Sequence, residues 1–206
     1  MNFDQRTTRE MIQAVADTVI AHAGELTELD RAIGDADHGI NLERGFKAVL
    51  AKIDTISARP INDALSEVGK TLILSVGGAS GPLYGKLFAT IGQHLCSPEL
   101  NRERVVSACE QAIGVLKTLG RSDVGHKTML DVLVPSLDRL RATEDPISWH
   151  ELHLHAHEAA LATIPMVARR GRASFLGERS QGHMDPGARS SELIVGAVCD
   201  FLETRL

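Results

Sequence analysis

Apolar residues recur at the 3.6-residue spacing of an amphipathic helix almost from one end of the chain to the other. Ile12, Val15, Ala16, Val19 and Ile20 form one stripe, and Leu42, Phe46, Val49, Leu50 and Ile53 a second. Ile61, Ala64, Leu65, Val68 and Leu72 form a third, and Leu83, Leu87, Phe88, Ile91 and Leu95 a fourth. Val105, Val106, Cys109, Ala112, Ile113 and Leu116 make the fifth. The sixth, Met129, Val132, Leu133, Leu137 and Leu140, contains Pro135, where a lost hydrogen bond predicts a kink. The seventh runs from Leu152 through Ala156, Ala159, Ala160 and Ile164 to Val167, with Pro165 as an irregularity. Leu193, Ile194, Ala197, Val198 and Phe201 close the series. No segment alternates with period two between turn residues. The pattern predicts an all-α chain of about eight helices in a single domain over residues 1–206. Short links such as 57–60 favour antiparallel, up-and-down neighbours.

The links differ in character. Those near 57–60, 96–101 and 142–147 contain no glycine, whereas those near 24–40, 76–81, 120–126 and 169–188 hold most of the 18 glycines. In an up-and-down arrangement the second group shares one end of the molecule. Functional groups gather on loops held by a rigid scaffold, so the site is expected at that end.

Composition narrows the field. A 43% apolar and 24% charged chain excludes disorder and low complexity, and a net charge of −5 argues against nucleic-acid binding. Cys96, Cys109 and Cys199 are odd in number and unpaired in spacing, which reads as reduced core thiols. The polar N-terminus and the lack of a run of ~20 apolar residues predict no leader and no membrane span, hence a cytoplasmic protein.

Four links carry candidate chemistry. In the first, Asp30, Asp35 and Asp37 fall within eight residues, beside Gly34 and Gly39. Like charges so close suit a hard cation, and carboxylates with few other ligands suit Mg²⁺ sharing phosphate oxygens. An EF-hand fails, because Ile40 stands where glycine is required and Phe46 where the bidentate Glu belongs. The plain alternative is a solvated acidic linker with Asn41 as a helix cap. In the second, Gly77-Gly78-Ala79-Ser80-Gly81 precedes Pro82, expected as the first residue of a helix that Ser80 caps. Such a turn presents amides to a phosphate, or simply lets two helices approach. The third, Gly120 to Thr128, misses a P-loop by the inserted His126 and lacks a preceding strand. Lys127 and Thr128 then face either a phosphate or solvent at a helix start. The fourth, 169–187, is long and rich in arginine, with Arg172 suited to phosphate, or is a mobile lid. His150, His153, His155 and His157 look like metal ligands, but no carboxylate partner is evident and a surface run is the better reading.

Together these links resemble the nucleotide-binding L subunits of bacterial dihydroxyacetone kinases, which are homologous to the C-terminal domain of single-chain dihydroxyacetone kinases. The likeness spans nearly the whole chain, through GDADHG at 34–39, GGASGPLYG at 77–85, KTMLD at 127–131, GRASFLGERS at 171–180 and DPGARS at 185–190. It implies an antiparallel eight-helix barrel with a nucleotide at one end. By the family's motif, Asp30, Asp35 and Asp37 hold two Mg²⁺ ions. His38, Gly39, Ile40, Asn41, Ala79 and Ser80 line the phosphate and ribose region, and Gly120, Met129, Arg172, Asp185, Pro186 and Gly187 complete the pocket for ADP or ATP. The family usually reads Gly-Asp-Lys-Thr where this chain has Gly125-His126-Lys127-Thr128.

No nucleophile or general base is evident, so no catalytic residue is assigned. The resemblance implies a phosphotransferase subunit that acts on dihydroxyacetone held by a separate K subunit. It implies recharging by a phosphohistidine donor protein of the phosphotransferase system, in the glycerol metabolism of the cytoplasm; a homodimer is open. ATP-dependent phosphorylation of a related ketose, a non-catalytic nucleotide-loaded regulator and a metal-dependent phosphatase are the alternatives.

Overall fold

The computed structural model describes residues 3–95, 100–142 and 147–205. It is all-helical there. The helices are α1 (Gln5–Ala21), α2 (Ala23–Ile33), α3 (His38–Leu50), α4 (Ile53–Ser57) and α5 (Ile61–Ser75). After them come α6 (Ser80–His94), α7 (Arg102–Gly120), α8 (Leu130–Ala142), α9 (Trp149–Leu161) and α10 (Pro186–Glu203), with a 3₁₀ segment, Arg172–Ser180, before the last.

Local chemistry sets several starts. Asp4 accepts from the Thr7 amide at 2.7 Å, Asn101 from Arg104 at 3.0 Å, Ser148 from Glu151 at 3.2 Å and Asp185 from Ala188 at 2.7 Å. Each satisfies a helix N–H that has no partner within the helix. Pro186 is the first residue of α10, where its missing N–H costs nothing.

The packing neighbours run α1, α3, α5, α6, α7, α8, α9, α10 and back to α1, with α2 laid on α3 and α4 on α1 and α5. The neighbour contacts thus close into a ring. The stripes turn inward: Val19, Leu42, Phe46, Leu72, Tyr84, Leu116 and Leu130 are almost fully buried in one core. Each large apolar side chain so buried contributes about 1.5–3 kcal/mol. Phe46 and Phe88 meet edge to face at 6.4 Å. Among the described residues no helix is long and apolar enough to cross a membrane. Burial raises the thiols of Cys109 and Cys199, to about 11 and about 12. Cys96 and most of the links at 96–101 and 142–147 lie outside the described residues.

Four boundaries differ from the sequence expectation. The expected link at 24–40 is mostly helix, because α2 resumes after a single break at His22. Its buried stripe of Ala23, Leu26, Thr27, Asp30 and Ile33 has only two strongly apolar members, too few to register as a period. The second stripe breaks after Leu50, leaving Ile53 to the short α4. The seventh ends at Leu161, ahead of Pro165, so Ile164 and Val167 lie beyond the helix. Finally, α6 begins at Ser80 rather than Pro82, with Ala79 as its cap residue, so Ser80 does not cap it.

Candidate metal and nucleotide site

The acidic corner is made by the end of α2. Asp30 occupies its last turn, and Gly34 closes it. A Cβ on Gly34 would lie 2.0 Å from Oδ1 of Asp30, so only glycine lets that carboxylate turn back over the helix end. Ala36 follows in the left-handed region at φ 60°, a conformation costing about 1 kcal/mol for an L-residue. That turn brings the Asp37 and His38 amides to Oδ2 of Asp30, at 2.9 and 3.2 Å. Asp30 is buried, whereas Asp35 and Asp37 are exposed, and one ligand oxygen from each falls within 4.8 Å of the others. Three acceptor-only groups at this spacing fit a hard divalent cation, and among the described residues no other group of three meets the same test.

The next layer is a hydrogen-bond network. His38, the first residue of α3, is buried, and its ring nitrogens meet Ser80 Oγ at 3.0 Å and Ser190 Oγ at 2.9 Å. Burial lowers its pKa, against the pull of Asp30 and Asp37. Ser190 also meets the Tyr84 hydroxyl at 2.6 Å, and Tyr84 donates to the Gly187 carbonyl at 3.1 Å. Burial raises this phenol to about 12. The network joins α3, α6 and α10. Beside it Gly78, in the left-handed region at φ 63°, turns the chain into α6, so Gly78, Ala79 and Ser80 border the cleft at a helix N-terminus. Such an end favours an anion.

The far wall comes from the long segment after α9. Arg172 reaches across the mouth to Asp35, Nη2 to Oδ2 at 2.9 Å, with 72% of its side chain exposed. An exposed pair of this kind is worth about 0–1 kcal/mol, so it opens readily to a phosphate on one side and a cation on the other. The wall is fastened from below by Lys127. That side chain is fully buried, and its ammonium donates to the carbonyls of His183 (2.6 Å), Ser180 (2.7 Å), Met166 (3.1 Å) and Ile164 (3.5 Å). Burial lowers its pKa, opposed by Asp185. Both expectations for Lys127, phosphate-facing or solvated, are therefore overturned, because the carbonyls of a wide turn claim the charge. Asp131 performs the matching task on the other side, accepting from the Gly125 and Thr128 amides. Asp185 is buried beneath the cleft, and burial pushes its carboxyl up to about 7 despite the Ala188 hydrogen bond.

These walls enclose a cleft of about 300 Å³, at the small end of the range for ligand pockets. Of the residues expected at the site, Asp30, Asp35, Asp37, His38, Ala79, Ser80, Gly120, Met129, Arg172, Asp185, Pro186 and Gly187 border it. Gly39, Ile40 and Asn41 do not. Gly39 seats α3 on α2, where a Cβ would lie 1.9 Å from the Ala23 carbonyl, and Ile40 is 55% exposed on the outer side. Asn41 accepts from Arg44 at 2.8 Å and caps nothing. Sequence reasoning passed over Tyr84 and Ser190, whose roles appear only when α6 and α10 are side by side, and Ile33, Leu83 and Leu116, which give the cleft an apolar floor. The helical stripes marked Leu83 and Leu116 as core, whereas Ile33 fell in the expected link at 24–40.

The all-helical domain thus sets an acidic corner against a glycine-rich helix start and an arginine. The chain belongs to the DAK2 domain family, which matches residues 32–200, and to its DhaL branch. It is 43% identical over 171 residues to the ADP-binding subunit DhaL of the PEP-dependent dihydroxyacetone kinase of Escherichia coli K12, covering 80% of this chain and 81% of that subunit. It is 35% identical over 202 residues to the corresponding subunit of dihydroxyacetone kinase 1 of Listeria innocua, covering 96% and 97%. The fold is that of the dihydroxyacetone kinase of C. freundii, solved with AMP-PNP and Mg²⁺: the TM-score is 0.75 at 23% identity. The match covers 97% of this chain and 34% of that longer one.

Proposed function

We propose that this chain is the ADP- and Mg²⁺-binding subunit of a PEP-dependent dihydroxyacetone kinase. It transfers a phosphoryl group to dihydroxyacetone held on a separate K subunit and is recharged by a phosphohistidine donor protein. The observation that carries the proposal is one cleft in which the aspartate trio, the start of α6 and Arg172 all face the same space. The relatives named as ADP-binding subunits support the choice of nucleotide.

Phosphoryl transfer asks for positioning and charge neutralisation more than for covalent help from the protein. Asp30, Asp35 and Asp37 would hold two Mg²⁺ ions, whose chemistry is to neutralise charge on the phosphate oxygens. Ser80 and the neighbouring amides orient the β- and γ-phosphates, and Arg172 adds a planar donor. The base and sugar rest along Gly120, Met129 and the Asp185-Pro186-Gly187 turn, over the apolar floor. His38 holds the Ser80 hydroxyl in place. Among the described residues no nucleophile or general base is assigned.

The test is purification of untagged protein from its native cell in Mg²⁺, followed by gel filtration, dialysis and identification of bound nucleotide and partners. Retained ADP and a co-purifying K subunit are the expected result. Rapid loss of ADP overturns the resident-cofactor form in favour of exchanging ATP, and release of phosphate from a phosphoester by the isolated chain overturns the kinase reading.

A further inference from the structure

A second cluster of ligand-type side chains lies apart from the cleft, along the seam where α9 packs on α10. His153 and His157 are four residues apart on α9 and so share one face of it. Glu192 of α10 lies beside them, 2% exposed. Its Oε1 stands 3.4 Å from His153 Nε2 and 3.6 Å from His157 Nδ1. The other oxygen, Oε2, is held by the Arg189 guanidinium, which Glu25 braces from α2. Behind the His153 ring, Nδ1 pairs with Oδ1 of Asp200 at 2.9 Å. Gly196 makes the room: a Cβ there would lie 2.5 Å from His153 Nε2. The carboxylate that the sequence did not reveal beside the histidines is supplied from about forty residues downstream.

Two ligands of a tetrahedral ion with bonds of about 2.0–2.1 Å stand roughly 3.3–3.4 Å apart. The two separations from Glu192 Oε1 are close to that edge. A carboxylate hydrogen-bonded behind the ring is the usual outer partner of a metal-bound histidine, and Asp200 occupies that place. Imidazole with one carboxylate is the donor set of zinc-class ions, not of Mg²⁺. The set is not closed as it stands, since the three ligand atoms do not all fall within 4.8 Å of one another. Closing it takes a turn of the His157 ring, which is 46% exposed, toward His153. We infer that the α9–α10 seam binds a divalent transition ion of the zinc class through His153, His157 and Glu192, with Asp200 as outer partner and solvent in the open position. The ion ties together the two helices that flank the segment 162–185.

The test titrates untagged full-length protein with Zn²⁺ by calorimetry in a large excess of Mg²⁺. One equivalent of Zn²⁺ per chain is expected, with a rise in Tm. His157→Gln should weaken binding about tenfold or more, and Asp200→Asn by about tenfold, as loss of an outer partner does. Both residues are substantially exposed, and unchanged helical circular dichroism checks that the variants fold. Asp35→Ala should leave Zn²⁺ affinity unaltered. Equal affinity in the parent and His157→Gln overturns the site. So does loss of binding in Asp35→Ala, which would place the ion in the cleft, or in the His150→Gln/His155→Gln double variant, which would assign it to the histidine run.

Discussion

Lys127 and Arg172 border the same cleft with the same charge and opposite fates. Lys127 is fully buried, with its ammonium spread over four carbonyls, whereas Arg172 is mostly exposed and holds a single ion pair to Asp35. The difference shows how a site that needs cations is divided. One is consumed in shaping a wall from 164–183, a stretch that forms no α-helix and turns the carbonyls of Met166, Ser180 and His183 onto the ammonium. The other stays at the rim, weakly held, where a phosphate can claim it. Charge in a cleft is therefore not by itself a ligand contact.

That contrast can be broken, most forcefully at Lys127. Lys127→Ala leaves several buried carbonyls without a donor, each costing about 1–3 kcal/mol. Thermal unfolding of the variant should show a loss of several kcal/mol, on the order of 10 °C in Tm. A variant that melts like the parent but fails to bind ADP would reverse the assignment. Asp35→Ala should abolish Mg²⁺-dependent ADP binding, by about 100-fold or more (~2.7 kcal/mol), with helical content intact. Unchanged nucleotide affinity in calorimetry refutes the metal corner. Arg172→Ala should weaken ADP binding by roughly tenfold, the scale of one charge-assisted hydrogen bond. Its stability should move by less than about 0.5 kcal/mol, because the lost ion pair is exposed.

A further signal is a pH slope. The Asp185 carboxyl titrates at about 7 in the folded chain and near its ordinary 3.8 when unfolded. Between those values the folded state holds the extra proton, so this group's contribution to stability falls as pH rises from about 4 to 7. The slope is at most ~1.4 kcal/mol per pH unit. Asp185→Asn, which keeps an acceptor for the Ala188 amide, should flatten that part of the profile in melts taken every half unit. An unchanged slope would show that the carboxyl is ionised throughout.

The parts of the site legible in the sequence are those whose chemistry is local. Asp30, Asp35 and Asp37 lie within one turn of chain, and Gly77 to Ser80 form one run, so spacing alone brings them together. Lys127 was misread because its partners are carbonyls 37 to 56 residues away, and no side-chain pattern marks a carbonyl. The Tyr84–Ser190 contact spans 106 residues and exists only after α6 and α10 are neighbours. The fold was legible wherever five or more apolar residues, alanine included, kept the helical period. It was lost at α2, where Thr27 and Asp30 occupy buried positions that an apolar count skips.

His38 follows the acidic corner directly, yet its two ring nitrogens are moored to the glycine turn at Ser80 and to the last helix at Ser190. The distance between the acidic corner and the glycine-rich turn is thus settled during folding rather than during binding. A guest entering such a preorganised socket need not freeze the host, and more of its interaction energy survives as affinity.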